Sequence, residues 1–155
     1  MTRDRDATGR PRNARGRDDL GRPLARTEDD VVEPDAPALP PAAALAEAQR
    51  LIDAGRPFTA HEVLEAVWKE TTGPQRALWR GLAQLAVGLT HQARGNRVGA
   101  RALLRRGAET LAEVGGEPFG VCVDELRGWA EAAAEDPAAA PAMPPLRSQA
   151  ADDRA

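Results

Sequence analysis

Between Gly73-Pro74 and Gly95-Asn96 lies a run, Gln75 to Arg94, whose interior from Ala77 to Thr90 is apolar or small at all but Arg80 and Gln84. Leu78, Leu82, Leu85 and Leu89 recur at helical spacing, and Ala77, Gly81, Gln84, Gly88 and His91 form a second stripe beside them. A helix that is apolar on more than one face has to be covered from several sides. The chain is therefore predicted to be all-α, a compact bundle with this segment at its centre.

The covering helices are marked off by the same punctuation. Pro41 suits a first helical turn, Leu45, Ala48 and Ile52 recur on one face, and Gly55 followed by Pro57 stops that helix. A second helix is expected from about Phe58 to Thr72, the central one from Gln75 to Arg94, and a fourth from Arg97 to Val114, closed by Gly115-Gly116. A short fifth, from about Asp124, offers Leu126, Trp129, Ala130 and Ala133. Short connections make sequence neighbours pack antiparallel. When Gly55 is laid on Gly95, a shift of 40, Ala60 meets Ala100, Val63 meets Leu103 and Leu64 meets Leu104. This is the grammar of tetratricopeptide-like hairpins, so the five helices are expected to contain two such hairpins.

Outside about 41–135 the pattern changes. Residues 1–40 hold few large apolar side chains, and their charge is segregated, with arginines from Arg3 to Arg26 followed by Glu28, Asp29, Asp30, Glu33 and Asp35. Burial there cannot offset ordering entropy, so a disordered charged tail is expected, and likewise for the Ala-Pro-rich 136–155. A net charge of -3 disfavours non-specific nucleic-acid binding, and no stretch is long and apolar enough to span a membrane. Cys122, the one cysteine, excludes an internal disulfide and reads as a small buried hydrophobe in a reducing, cytoplasmic compartment. Arg97, Arg101 and Arg105 read as a solvated face of the fourth helix, and Asn96 as its cap.

The chain has two histidines, His61 and His91, and both fall in helices. Phe58, His61, Glu65 and Trp68 form one stripe of the second helix. If the second and third helices pair through the Gly73-Pro74 turn, His61 falls near Gln84 and Gly88, Glu65 near Gly81, and His91 toward Phe58. The expected product is a buried polar cluster of His61, Glu62, Glu65, Gln84 and His91, with Trp68 as an apolar wall.

Buried polar groups need partners, so the plainest outcome is a satisfied network in which His61 donates to Glu65 or Gln84. Beside it stand a small-ligand or peptide pocket and a divalent-metal site using His61, Glu65 and His91. His61-Glu62-Val63-Leu64-Glu65 departs from the zincin helix because Glu65 occupies the second histidine's place. The leading functional expectation is a binding or interaction module for a protein segment or small ligand. The alternatives are a metal-dependent hydrolase or other enzyme using the cluster, and an adaptor holding another protein's segment. An enzyme requires an open cleft reaching His61, a structural network an enclosed cluster, and an adaptor an exposed apolar groove elsewhere.

Phe58-Thr59-Ala60-His61-Glu62-Val63-Leu64-Glu65 with Trp68, Gly81-Leu82-Ala83-Gln84-Leu85-Ala86, His91, and Gly95-Asn96-Arg97-Val98-Gly99-Ala100 occur in order. In these motifs the sequence resembles the bacterial family called domain of unknown function 309, from roughly Ala44 to Leu111. The resemblance implies an all-α bundle and brings no activity with it. Its motif positions fall on His61, Glu62, Glu65, Trp68, Gln84, His91, Gly95 and Asn96.

Overall fold

The computed structural model describes residues 37–148. The tail expected over 1–40 lies outside the described residues as far as position 36, and so do positions 149–155. Five α-helices follow one another: α1 (Pro41–Asp53), α2 (Pro57–Glu70), α3 (Arg76–Ala93), α4 (Arg97–Leu111) and α5 (Val123–Glu135). Each packs on its neighbour in sequence, α1 on α2, α2 on α3, α3 on α4 and α4 on α5. No helix among the described residues is long and apolar enough to cross a membrane.

Proline at the first helical position opens α1 and α2, where its missing N–H costs nothing. Both α1 and α3 end in the same hydrogen-bonded turn. After α1, Gly55 takes φ +75°, its N–H donates to the Ile52 carbonyl, and the Arg56 N–H reaches back to Leu51. After α3, Gly95 takes φ +76°, its N–H donates to Gln92, and the Asn96 N–H reaches back to His91. These are Schellman closures, which put a glycine in the left-handed region and satisfy the last carbonyls of the helix. Just inside the next helix Ala60 and Ala100 are fully buried, and one turn later so are Leu64 and Leu104. The correspondence at a 40-residue shift therefore extends to backbone bonds and burial.

Helix α3 is central, with Leu78, Trp79, Leu82 and Leu85 all essentially inaccessible. Its small residues set how closely it meets α4. A Cβ at Gly81 would lie 2.7 Å from the Leu111 side chain, one at Gly88 2.8 Å from Leu104, and one at Gly107 2.6 Å from Leu85. Leucine enters the space left by glycine in both directions, so the two helices interlock in one register.

After α4 the chain makes a short 3-10 turn at Pro118–Gly120, in which Phe119 adopts φ +55° and its ring lies 5.9 Å from that of Trp79. Beyond α5 a second 3-10 turn, Pro137–Ala139, leads into a strap that runs back across the bundle. The chain beyond 135 packs against the helices. Leu146 is 2 % exposed and joins the core, Val121 and Arg147 form an antiparallel bridge, and the Trp129 indole N–H donates to the Pro141 carbonyl at 2.8 Å. The cap expected of Asn96 is present, its side-chain oxygen accepting from the Gly99 N–H at 3.0 Å.

Candidate functional site

The five polar residues expected to cluster are held in three separate places. On α2, His61 and Glu65 are one helical turn apart, and His61 Nε2 lies 2.6 Å from Glu65 Oε2. The other Glu65 oxygen meets Lys69 Nζ at 3.0 Å, one further turn along. This is a row of i,i+4 partners on one helix face, and Phe58 closes it with its ring 5.4 Å from the imidazole. Glu62 is exposed.

Gln84 faces α4 instead of α2. The Thr110 hydroxyl lies 2.7 Å from its amide oxygen and 2.9 Å from the Arg106 carbonyl. One hydroxyl proton serves one of these acceptors, and a turned Gln84 amide can donate to the hydroxyl in return. His91 belongs to the α3–α4 turn, where Asn96 Nδ2 lies 3.2 Å from its Nδ1. Asn96 thus ties the last turn of α3 to the first of α4. An added Cβ at Gly99 would meet the Asn96 amide at 2.7 Å and the imidazole at 2.8 Å, so this position has to be glycine for the arrangement to close. Asn96→Ala is expected to cost about 1 kcal/mol, as loss of a capping side chain generally does, read as a lower midpoint in urea at unchanged slope.

The expected meeting of His61 with Gln84 and Gly88, and of Glu65 with Gly81, is therefore corrected. The small stripe of α3 packs on the leucines of α4, leaving α2 to face a different side of α3. His61, Glu65 and His91 do not form a ligand set. Among the described residues no three His, Cys, Asp or Glu side chains gather as a metal site requires.

Burial holds the His61 imidazole below its usual range, against the opposing pull of the Glu65 charge and hydrogen bond, and Lys69 adds to the lowering. A neutral ring donates its Nε2–H to Glu65 and leaves Nδ1 as an acceptor, which is buried without a protein partner. Because the folded pKa lies below the unfolded one, the unfolded chain binds more protons between the two values, and stability falls as pH drops below about 6.5. His61→Gln removes this component. The advantage of the wild type over the variant is thus largest above that pH and shrinks in acid, as melting temperatures of the pair across about pH 7.5 to 5.5 would show. An advantage that grows in acid would mean that the Glu65 contact outweighs burial.

Trp68 is half-buried, with the Arg76 guanidinium 4.9 Å from its ring centroid, a cation–π contact that spans the α2–α3 turn. Cys122 is buried at the start of α5, and burial raises its thiol pKa, consistent with a packing role. Arg101, expected only as part of a solvated face, donates to the Ala134 and Glu135 carbonyls at the end of α5, where a cation complements the helix terminus.

A concave surface lies elsewhere among the described residues, between the outer faces of α1 and α2, with a volume of about 1280 Å³. Ala43, Ala46, Val63 and Ala66 line its floor, and Leu39, an exposed large apolar residue, lines it as well. Glu47 and Arg50 form the α1 rim, and Glu62, Glu65, Lys69 and Glu70 the α2 rim. Four carboxylates against two cations leave this rim acidic. Sequence reasoning missed the groove because its floor is made of alanines, which the helical pattern reads as spacing between leucines. The available signal was the pairing of Ala43 and Ala46 with Val63 and Ala66, just outside the buried stripes of two helices already expected to be adjacent.

The family model described as Domain of unknown function (DUF309) matches residues 45–103, so the resemblance seen in the motifs holds over that span. It takes in the rest of α1 from Leu45, all of α2 and α3, and the first half of α4. No curated protein and no solved structure matches the chain.

Proposed function

We propose that this DUF309-like helical domain is a cytoplasmic interaction module that holds an arginine-bearing segment of a partner protein in the groove between α1 and α2. The observation that carries the reading is the groove itself, a floor of exposed Ala43 and Ala46 and half-buried Val63 and Ala66 under an acidic rim. Its volume exceeds the roughly 300–1,000 Å³ of clefts that enclose small molecules, and it is open along its length, which suits a polypeptide better. The small floor residues let a helix or extended strand approach the backbones closely, and the acidic rim selects for arginine.

The finer architectural reading is that α1–α2 and α3–α4 are two tetratricopeptide-like hairpins. It is supported by the matching turns at Gly55 and Gly95 and by the matched burial of Ala60 with Ala100 and Leu64 with Leu104. In such folds one helical layer presents a concave face to a bound segment. The hydrolase reading has no assembled ligand set among the described residues to rest on, and the groove does not include His61.

The test is fluorescence anisotropy with a labelled amphipathic peptide carrying arginines on one face and alanine and leucine on the other. Binding should weaken with salt, as screened charge contacts do. Ala66→Arg, which fills the floor and places a cation where an arginine-bearing segment docks, should weaken binding by at least about tenfold. Arg105→Glu on α4 should leave it unchanged. Equal binding to all three proteins would sink the proposal.

A further inference from the structure

The strap after α5 is bound in the manner of a peptide ligand. Its N–H and C=O groups pair with the loop ahead of α5, Cys122 N–H donating to the Leu146 carbonyl at 3.1 Å and Ser148 N–H to the Gly120 carbonyl at 3.2 Å, around the antiparallel pair Val121 and Arg147. The Leu146 N–H donates to Gln49 Oε1 on α1 at 2.8 Å, ninety-seven positions away in the chain. Gln49 is set for this role because its amide nitrogen is committed to Asp53 Oδ1 at 2.9 Å. The Arg147 Nε donates to the Phe119 carbonyl at 3.0 Å.

One side chain of this segment is buried. Leu146 enters the core while Pro145 before it is exposed and Arg147 after it is half-buried. Main-chain pairing through an isolated antiparallel bridge, one apolar pocket and one cation directed to a carbonyl are, in miniature, the elements of strand-addition recognition. The receiving loop carries the marks of a clamp. Phe119 holds φ +55°, a conformation that side chains other than glycine adopt at a cost, and its carbonyl is the acceptor for Arg147. The connector, 138–145, has no fully buried residue, although Ala140 and Met143 pack against the core and the Pro141 carbonyl accepts from the Trp129 indole, and its prolines favour an extended chain before docking.

We infer that the cleft formed by Gln49 of α1 and the loop from Phe119 to Cys122 is a recognition site for an extended Pro-Leu-Arg peptide. It is filled in cis by residues 145–147 and opens to a partner protein's segment of the same chemistry. The strap has one fully buried side chain, with half-buried Ala140 and Met143 packed against the core and the Trp129 bond to Pro141 beside it. That is a smaller buried set than any of the five helices has, so the strap opens at a lower free energy than they do. A competing segment has to match Leu146, Arg147, Met143 and the backbone bonds, the Pro141 carbonyl included.

The experiment is a titration of the full chain carrying Leu146→Ala with a labelled synthetic peptide of residues 141–148. One-to-one binding is expected, at least about tenfold weaker for the peptide with alanine at the leucine position, and weaker also to the wild-type chain, whose own strap competes. A folded Leu146→Ala chain that ignores the peptide, or binds both peptides equally, overturns the inference. Should that variant fail to fold, native-state hydrogen exchange on the wild type decides. The amides of Leu146, Ser148 and Cys122 should exchange by local opening, well ahead of Leu85 and Leu104, whereas exchange in step with those core amides would make the strap a permanent part of the fold.

Discussion

Gly107→Val should destabilise the domain by about 3 kcal/mol, at the upper end of what overpacking a core usually costs. A Cβ at this position already falls 2.6 Å from Leu85 Cδ2, 3.0 Å from Leu85 Cγ and 3.2 Å from the Gly81 carbonyl. Leu85 is fully buried and cannot swing out, and the carbonyl is part of the facing helix. Valine adds two further methyls to a space that has none, and their branching limits the rotamers that could avoid the clash. The gain in helix propensity on replacing glycine, well under 1 kcal/mol for valine, does not offset this. A urea midpoint lowered at unchanged slope would record it. A variant as stable as the wild type would mean that α3 and α4 do not approach as described.

Leu104→Ala is expected to cost about 3 to 4 kcal/mol, as deletion of a fully buried leucine does when its surroundings cannot collapse. Leu104 fills the notch opposite Gly88, where an added Cβ would lie 2.8 Å from its Cδ2. The two positions should therefore be coupled. Gly88→Ala is hindered in the wild type but places its methyl in vacated space once Leu104 is alanine, so the double variant should be more stable than the sum of the single effects implies, by roughly 1 kcal/mol or more. Additive effects would place the two residues on unrelated surfaces.

That seam marks where the sequence could be read and where it could not. The helices were legible because Gly-Pro and Gly-Asn pairs cut a continuous 3.6-residue pattern into segments, and each glycine turn falls where that punctuation stands. The central position of α3 followed from its apolar circumference. Which neighbour each stripe meets did not follow, because a helix covered on several sides offers several equivalent pairings. Turn geometry alone pairs Gly81, Gln84 and Gly88 with α2. The deciding information was the alternation on α4, where Leu104, Gly107 and Leu111 complement Gly88, Leu85 and Gly81.

The candidate site divides in the same way. The His61–Glu65 contact is legible because an i,i+4 pair on a helix is local. The wider cluster required correct pairing of two helices and failed with it. Gln84 meets Thr110 and His91 meets Asn96, each on or next to α4. The strap was illegible for another reason. One leucine among alanines and prolines falls below any density of apolar residues that signals order, yet Leu146 needs only one pocket, and Gln49, the loop at Val121 and the Trp129 indole supply the directional bonds. Such a segment can be found from the partners that wait for it, since a tryptophan N–H on a buried helix face needs an acceptor.

The central claim is that the groove between α1 and α2 is where this domain meets its partner. Its most direct test is the map of backbone amide shifts in nitrogen-labelled full-length protein as the arginine-bearing helical peptide is added. The account predicts saturable changes that concentrate on Ala43, Ala46, Val63, Ala66 and the acidic rim, and leave α4 and the His91–Asn96 turn unmoved. Changes centred on α4 or α5, or no saturable change at all, would contradict it.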